Sequence, residues 1–330
     1  MKVVVGKSID DRYVDMIRGA GDDIDVHTAV DEKEQEKLLS ECDVLVTYHL
    51  PIDISKAPRL KWVHFMWEGV DSFSDSEMMR SDVVLTNSSG VHSVPIAEHI
   101  VLYMLALKRK AKMYMDLQER REWLGWWDQP STGVLKGSTV GIIGYGRIGR
   151  AAAKILDGFG VRVLAVKRDP DRVEHEGFDG WDCCDMRGEV PQEMIGMDSL
   201  DRVLSGSDFL ILSLPLTGET HHIIGKGELE LMKEGAYLIN IGRGGLVDEN
   251  ALVEALEKGR IGGAALDVFE EEPLDESSPL WGMDNVLITP HSSTAGDPAD
   301  ELVFTLFTEN LKRFLRGEEL LNVVDKKLGY

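Results

Sequence analysis

The sequence predicts an α/β protein with two parallel sheets, each covered by helices. Its 330 residues exceed what one ordinary hydrophobic core requires and suit two domains of typical size. Short β-branched runs alternate with helical patterns along nearly the whole chain, which is typical of parallel strands joined by crossover helices. A GxGxxG spacing appears only after residue 140. The strands before it must therefore belong to a different unit.

The predicted strands form two sets separated by one long helix. The first set is KVVVG, DVLVTY, LKWVHF and DVVLTN, and the second is TVGIIG, VRVLAV, DFLILSL, AYLINI, GGAALDV and NVLITP. The helix is predicted from Pro95 to about Trp123, with Ser93 as its N-cap. The segment 169–200 is long for a crossover and predicts an extra surface loop. A final amphipathic helix is predicted for ELVFTLFTENLKRFLRG.

The long helix carries two groups of apolar residues. We expect the first group to pack in the core, and it consists of Ile100, Val101, Met104, Leu105 and Leu107. The second group, Met113, Met115 and Leu117, lies between charged residues. Two explanations stay open for it: contact with a second subunit, or a small cluster within the monomer.

The chain is strongly acidic. It has 36 basic and 58 acidic residues and a formal net charge of −22, which argues against a nucleic acid or an anionic membrane as a partner. No apolar run approaches the roughly 20 residues that a membrane span needs. The start MKVVVGKSIDD becomes acidic too soon for a signal peptide, so we expect a cytoplasmic protein.

The cysteines and histidines do not predict a metal site. Cys42, Cys183 and Cys184 are odd in number and lack a metal-ligand spacing, so they are interpreted as ordinary core or loop residues. Four histidines also lack such a spacing, and we expect them to be solvated or to cap helices: His92, His99, His221 and His222.

GIIGYGRIGR predicts a dinucleotide-binding turn between a strand and a helix. Gly144 permits the tight turn, Gly146 lets the backbone approach a pyrophosphate, and Gly149 allows the helix to pack closely on the strand. The phosphates would lie at the N terminus of the helix, facing Arg147 and Ile148. A glycine-rich turn without a ligand is the alternative, but the flanking strands TVGII and VRVLAV favour the nucleotide site.

Lys167 and Arg168 follow VRVLAV, where an acidic residue would bond the adenosine ribose of NAD. Two cations there favour the 2′-phosphate of NADP instead. Each charge-assisted contact contributes about 1.5–3 kcal/mol, so the pair would favour NADP over NAD by about 100-fold or more, and less if solvent screens it. Asp169 follows at once, so a solvated Lys-Arg-Asp turn is the alternative.

Motifs in the second half of the chain resemble those of a known family. INIGRGGLVDENAL, GAALDVFEEEPL and NVLITPHSSTAG follow GIIGYGRIG and SLPLTGETHHII in this order. The set is similar to the signature of the D-specific 2-hydroxyacid dehydrogenases, over essentially the whole chain. The resemblance implies two Rossmann- or flavodoxin-like, doubly wound domains with the active site in the cleft between them. It also implies a homodimer, and a nucleotide domain, residues 104–294, inserted into a substrate-binding domain of residues 1–103 and 295–330.

The resemblance implies three catalytic residues. Arg243 matches the arginine that binds the carboxylate and carbonyl of the substrate, for which a planar guanidinium is suited. His291 matches the general acid/base that protonates the ketone oxygen as hydride arrives. Glu272 matches the acid that pairs with this imidazole and favours its charged form. Taken singly, each residue also has another explanation. Arg243 would fit an ion pair in a loop, Glu272 an exposed acid, and His291 a hydrogen bond at the end of a strand.

The resemblance also implies contacts with the cofactor and the substrate. The cofactor contacts that it implies are Asp267, beside the nicotinamide, and Ser213, Leu214, Pro215, Thr220, Ile241 and Gly242. In MWEGVD, backbone N–H groups of Glu68, Gly69 and Val70 would hold the substrate carboxylate, and Arg243 and His291 are the other implied substrate contacts. Glu68 departs from the commoner small residue. Its carboxylate must point away from the substrate, or the substrate carries a group that welcomes it.

The leading hypothesis is reversible hydride transfer between NADP(H) and a 2-keto acid, giving the D-2-hydroxy acid, with NAD as a possible cofactor. Glyoxylate, hydroxypyruvate, pyruvate and a branched keto acid all fit. The alternative is a dinucleotide-sensing binding protein, similar to the transcriptional corepressors of the family. No disordered tail or basic patch in the sequence supports that alternative.

Overall fold

The computed structural model describes residues 1–175, 177–294 and 299–330. The chain divides into two compact units. Unit 1 comprises Met1–His92, Gly177–Asp182 and Gly296–Tyr330, and unit 2 comprises Ser93–Glu176 and Cys183–Ala295. Each unit contains its own parallel sheet, which confirms the predicted α/β fold class with two parallel sheets.

Among its described residues, unit 1 has a five-stranded sheet. Its strands are β1 (Lys2–Val5), β2 (Asp25–Thr28), β3 (Val44–Thr47), β4 (Trp62–Phe65) and β5 (Val84–Asn87). Its helices are α1 (Asp11–Arg18), α2 (Glu32–Leu38), α3 (Glu77–Arg80) and α10 (Ala299–Arg316). All strand pairs are parallel, in the order β2-β1-β3-β4-β5.

The central strands of unit 1 are covered on both faces. Every residue of β3 and β4 is buried, and all of them except Thr47 and His64 are apolar, so both strands show in the sequence as mainly apolar runs. Trp62 of β4 stacks on Phe307 of α10 with ring centroids 5.0 Å apart. The strand β2 was not predicted. It lies at the edge of the sheet and buries only Val26, so it leaves no apolar run to detect.

Unit 2 has a seven-stranded parallel sheet among its described residues. Its strands are β6 (Thr139–Ile143), β7 (Arg162–Val166), β8 (Glu193–Ile195), β9 (Phe209–Leu212), β10 (Tyr237–Asn240), β11 (Gly263–Leu266) and β12 (Val286–Ile288). Its helices are α4 (Ser93–Lys108), α5 (Ala111–Arg120), α6 (Arg147–Asp157), α7 (Leu200–Gly206), α8 (Lys226–Leu231) and α9 (Glu249–Glu257). The strand order is β12-β11-β10-β9-β6-β7-β8.

The strand order of unit 2 locates its ligand site. The chain builds β7 and β8 on one side of β6 and then places β9 on the other side. In open parallel sheets, ligands bind beyond the carboxyl ends of the strands at such a switch point. The loops after β6 and β9 are therefore the expected place for a cofactor. The strand β8 was also not predicted, because it is a three-residue edge strand within the segment predicted as a loop.

The prediction of a single helix over residues 95–123 is wrong, because the structure has two helices there. The first, α4, ends at Lys108, and α5 begins at Ala111. Between them Lys110 has a φ of 54°, in the left-handed region that a continuous helix does not contain. Leu107 is the last core residue of α4, and no residue of α5 is buried. A shared apolar stripe that would keep the two helices in line is thus missing.

The apolar residues of α4 and α5 separate into a buried and a more exposed group. Four of the five predicted core residues are buried: Ile100, Val101, Met104 and Leu107. The fifth prediction is wrong, because Leu105 is 37% exposed. On α5, Met115 is 64% exposed. Among the described helices, none is long and apolar enough to cross a membrane.

Candidate active site

The turn between β6 and α6 has the geometry of a nucleotide-binding fingerprint. Gly144 has a φ of 96°, and a Cβ at this position would lie 2.5 Å from Ser213 O. Gly149 packs against the same turn, because its Cβ would lie 2.5 Å from Gly144 O. Around Gly146, by contrast, the described residues place no heavy atom within 4 Å of an ideal Cβ. A group from outside the chain can therefore approach the backbone at Gly146.

The N terminus of α6 suits an anion. Gly146 is its N-cap and supplies no side-chain bond to the first amides. The buried side chain of Arg147 donates to Met186 Sδ at 3.1 Å, and Ile148 packs against the core of unit 2. The backbone N–H groups of these two residues are then what the helix presents to a ligand. The residues of this turn fit the pyrophosphate of a dinucleotide.

The two predicted phosphate-binding cations lie at the end of β7. Lys167 is half-buried, and its ammonium donates to Arg172 O, whereas Arg168 is exposed. Asp169 Oδ1 accepts from the backbone amides of Asp171 and Arg172, at 3.2 and 3.4 Å. The carboxylate of Asp169 therefore closes the local turn.

The lowered pKa of His175 shows that this region is rich in positive charge. Burial lowers the pKa of His175 to about 3, and four cations act in the same direction: Arg147, Arg150, Lys167 and Arg172. Burial also lowers the pKa of Lys167, helped by the charges of Arg150 and Arg172. Cations gathered in this way repel one another, so a bound phosphate would be favoured here.

The loop that follows β9 contains four of the predicted cofactor residues. Ser213 Oγ donates to Gly144 O at 2.8 Å and ties the loop to the fingerprint turn. Leu214 is buried in the core of unit 2. Thr220 Oγ1 donates to Pro215 O at 2.7 Å and so fixes the conformation of the loop itself. The structure thus brings this loop to the switch point of the sheet.

Arg243 lies in a tight turn after β10. The side chain of Asn240 spans this turn, because its Nδ2 donates to Arg243 O at 2.9 Å and its Oδ1 accepts from Gly242 N at 3.1 Å. Arg243 Nη1 donates to Gly242 O at 2.8 Å. At Gly244 a Cβ would lie 1.8 Å from Phe269 C, so only glycine allows the turn to pack on the segment after β11. Two predicted cofactor residues directly precede the arginine: Ile241, which is buried, and Gly242.

His291 and Glu272 form a hydrogen-bonded pair. His291 Nδ1 lies 2.8 Å from Glu272 Oε2, and Glu272 Oε1 accepts from Phe269 N at 3.1 Å. Because the carboxylate is an acceptor, Nδ1 carries a proton, and Nε2 is the nitrogen that can exchange a proton with a substrate. The side chains are 50% and 36% exposed, respectively, so a small molecule can reach them.

Asp267 organises the turn that carries His291. Its buried carboxylate accepts from Ser292 N at 2.8 Å, from Ser293 N at 3.1 Å and from Thr289 Oγ1, while His291 N donates to Asp267 O at 2.8 Å. Burial raises the pKa of Asp267, but the bonds from Ser293, Thr289 and Ser292 together hold it below its usual value. His291 has a φ of 49°, a conformation that costs free energy and that these bonds maintain.

In unit 1, the predicted carboxylate-binding residues follow β4. Glu68 Oε1 accepts from His92 N at 3.3 Å and lies 3.8 Å from His92 Nδ1. Asn87 Nδ2 donates to Glu68 O at 2.7 Å. Val70 is buried, and Gly69 is half-buried. The Glu68 carboxylate is thus directed at His92, which was expected to be solvated or to cap a helix and is buried.

Trp67, next to these residues, is held by two rings. Its ring lies 4.8 Å from that of Tyr48 and 5.8 Å from that of His92, yet its side chain stays 45% exposed. Tyr48 is fixed in turn, because its hydroxyl lies 3.2 Å from Asp300 Oδ1. An indole held in this way presents a rigid apolar face to the surface of unit 1.

Sequence reasoning missed a second group of residues at the turn of His291. His99 and Tyr103 lie four residues apart on α4, and both contact Thr289 Oγ1. The prediction that His99 is solvated or caps a helix is therefore wrong. The four-residue spacing is the signal that could have paired the two rings, since it places them on one helix face.

Hydride transfer to a carbonyl requires a dinucleotide turn, a proton donor and a cation for the oxygens of the substrate. Unit 2 contains a glycine turn of this kind at the end of β6, an imidazole paired with a carboxylate at His291, and a guanidinium at Arg243. The fold and the site together define a dinucleotide-dependent dehydrogenase. Among the described residues, no group of three or more His, Cys, Asp or Glu side chains could hold a metal ion.

Comparisons with known proteins narrow this class. The model of the D-isomer specific 2-hydroxyacid dehydrogenase, NAD binding domain, matches residues 101–293. A glyoxylate reductase of Aeropyrum pernix is 36% identical over 93% of this chain and 90% of its own length. A D-3-phosphoglycerate dehydrogenase of Methanocaldococcus jannaschii is 32% identical over 98% of this chain, which spans only 59% of that relative.

Solved structures that are similar to this chain indicate the same family. One is an NADPH-dependent glyoxylate/hydroxypyruvate reductase of Sinorhizobium meliloti in complex with NADP and sulfate. It has a TM-score of 0.81 and 30% identity, and the match covers 100% of this chain and 99% of that one. The chain described here belongs to the D-isomer specific 2-hydroxyacid dehydrogenase family and is an oxidoreductase. None of these relatives supports the corepressor alternative.

Proposed function

We propose that this protein reduces a small 2-keto acid to the D-2-hydroxy acid, with NADPH preferred and NADH as an alternative. The observation that carries the proposal is the bond between His291 Nδ1 and Glu272 Oε2, 2.8 Å long, in the unit that holds the dinucleotide turn. An imidazole oriented by a carboxylate is suited to give a proton to a carbonyl oxygen and to take it back.

Each of the three residues has a separate task in this proposal. The bound cofactor supplies the hydride. Arg243 binds the substrate carboxylate and polarises the carbonyl, because its guanidinium offers several N–H donors in one plane. His291 donates the proton of Nε2 to the carbonyl oxygen, and Glu272 keeps the imidazole in the correct orientation and stabilises its charge. In the reverse direction the same nitrogen removes the hydroxyl proton.

We assign cofactor binding to unit 2, and we assign further contacts with the substrate carboxylate, in addition to that of Arg243, to unit 1. The backbone N–H groups of Glu68, Gly69 and Val70 are the proposed donors to the substrate carboxylate in that unit. The structure supports this assignment because Glu68 is engaged by His92, at 3.3 Å from the His92 amide. A carboxylate held in this way is less able to repel the substrate. The proposed cofactor residues are those of the fingerprint turn, the loops after β7, β9 and β10, and Asp267.

Steady-state assays with a panel of keto acids test the proposed function. The panel contains glyoxylate, hydroxypyruvate, pyruvate and a branched keto acid, and the oxidation of NADPH is followed by absorbance. Glyoxylate and hydroxypyruvate are the first candidates, because relatives and a solved neighbour are reductases of these acids. If the folded protein oxidises NADPH with none of the acids, the proposed function is wrong.

The exchange Arg168→Ala is expected to reduce the preference for NADPH over NADH by about 10-fold, through the loss of one charge-assisted contact with the 2′-phosphate. The affinities for both cofactors are measured by calorimetry in the wild type and the variant. Arg162→Ala is the matched control, because Arg162 is exposed at the start of β7, the opposite end of the strand. Equal wild-type affinities for the two cofactors, or an unchanged ratio in the variant, would contradict the NADP assignment.

A homodimer in the cytoplasm is part of the proposal. Apolar side chains on and after α5 are strongly exposed in the single chain, with Met115 at 64%, Trp123 at 97% and Trp127 at 92%. Apolar surface of this kind is typical of contacts between subunits. Sedimentation of the wild type should give the mass of two chains, and replacement of the three residues by serine should yield single chains.

A further inference from the structure

The hydrogen bonds around Thr289 have a fixed direction. The hydroxyl of Thr289 contacts Asp267 Oδ1, Tyr103 Oη and His99 Nε2, the last at 3.2 Å. Asp267 has a pKa held below its usual value, so its carboxylate is ionised and can only accept. Thr289 therefore gives its single proton to Asp267. Its two lone pairs are left to accept from the other two partners.

It follows that Tyr103 and His99 are both donors. Burial raises the pKa of Tyr103 far above its usual value, so its hydroxyl keeps its proton. Burial lowers the pKa of His99, so at neutral pH its imidazole is neutral, with the remaining proton on Nε2. The two rings hold each other edge to face, with centroids 4.5 Å apart. Both lone pairs of the Thr289 hydroxyl thus accept hydrogen bonds from residues of α4, while its proton is given to Asp267.

We propose that His99 and Tyr103 are positioning residues for His291 and act on it through Thr289 and Asp267. The inference rests on the proposed role of His291. The turn of His291 is folded around Asp267, which accepts from the backbone of residues 291–293. The two donors on α4 orient Thr289 and polarise its hydroxyl, which strengthens the bond that Thr289 gives to Asp267. They therefore set both the place of the imidazole and the negative charge that it senses.

The charged and titratable groups at this turn determine the direction of the effect. They are Glu272, Asp267, His99 and Tyr103, on the loops and the helix that meet there. Removal of the Tyr103 hydroxyl weakens the donation from Thr289 to Asp267. More negative charge then remains on Asp267, which favours the imidazolium form of His291. The titration midpoint of the imidazole should move to higher pH.

Tyr103→Phe is the central variant of the test, because it removes one oxygen and keeps the buried ring. We expect kcat to fall by about 5-fold, with little change in KM or in the affinity for NADPH. The histidine resonances of labelled protein give a second readout that needs no turnover. The His291 resonance, identified by its loss in His291→Asn, should titrate about half a pH unit higher in the variant. Tyr237→Phe, at the start of β10, is the matched control and should leave both values unchanged.

A double-mutant cycle with Thr289→Val decides whether Tyr103 acts through Thr289. We expect Tyr103→Phe to have no further effect on kcat or on the titration in the Thr289→Val background. Thr289→Ser keeps the hydroxyl, so in this variant, unlike Thr289→Val, His291 should titrate as in the wild type. At position 99, His99→Gln retains a donor near the place of Nε2. Its effects on kcat and on the His291 titration should therefore be smaller than those of His99→Leu. Additive effects, or a His291 titration that Tyr103→Phe does not move, would overturn the inference. The absence of any wild-type turnover would refute the proposed function alone, because the resonance experiment does not depend on it.

Discussion

The variant His291→Asn is expected to reduce keto acids with a kcat about 10³-fold below that of the wild type, because no group remains to protonate the carbonyl oxygen. The affinity for NADPH should change little, since His291 acts in the chemical step of the proposed mechanism. Stopped-flow mixing of the variant with NADPH and keto acid measures the rate of hydride transfer directly. A rate within a factor of three of the wild type would remove His291 from the mechanism.

Two further variants make this result specific. Glu272→Gln keeps a hydrogen-bond acceptor beside Nδ1 but removes the charge that stabilises the imidazolium, and we expect a loss of about 10² in kcat. His27→Asn is the matched control. His27 also pairs with a carboxylate, because its Nε2 lies 2.8 Å from Asp25 Oδ2, but it lies in β2 at the edge of the sheet of unit 1. Its replacement should leave kcat unchanged.

The fold was predictable from the sequence wherever strands are buried on both faces. In β3, β4 and β9 every residue is buried, and the sequence shows the result as mainly apolar runs, with Thr47 and His64 as the polar exceptions. The edge strands β2 and β8 lack this signal, because each buries a single residue, Val26 and Ile195 respectively. The break at Lys110 was not predictable from local propensity, since lysine is a good helix former.

The site was predictable only in part, for a related reason. The motifs placed Arg243, Glu272 and His291 after successive strands of one sheet, and parallel strands bring their carboxyl ends to the same edge. Contacts that join distant parts of the chain leave no local pattern. His99 and Thr289 are separated by 190 positions, and nothing around either residue indicates the other. The partners that orient a functional turn therefore required the structure.

Replacement of Arg243 by lysine should lower kcat/KM by about 10²- to 10³-fold, even though the positive charge is kept. The turn fixes the backbone of Arg243 through the side chain of Asn240, with bonds of 2.9 and 3.1 Å, and through the packing of Gly244 on Phe269. A guanidinium projecting from so rigid a frame can serve the carboxylate and the carbonyl of one substrate at once. An ammonium is a single compact charge and can satisfy only one of them in the correct geometry.

The loss should appear in both kinetic constants, because Arg243 contacts the substrate before and during hydride transfer in the proposed mechanism. Arg260→Lys is the matched control. The guanidinium of Arg260 also donates to backbone carbonyls, those of Glu230 and Met232. Arg260 lies before the first residue of β11, however, whereas Arg243 follows the last residue of the parallel strand β10, so the two arginines lie at opposite ends of the sheet. Added methylguanidinium should restore part of the activity of Arg243→Ala and none of that of His291→Asn. Should Arg243→Lys instead retain a wild-type kcat/KM, planar recognition of the keto acid by this residue would be ruled out, and a simple point charge would be enough.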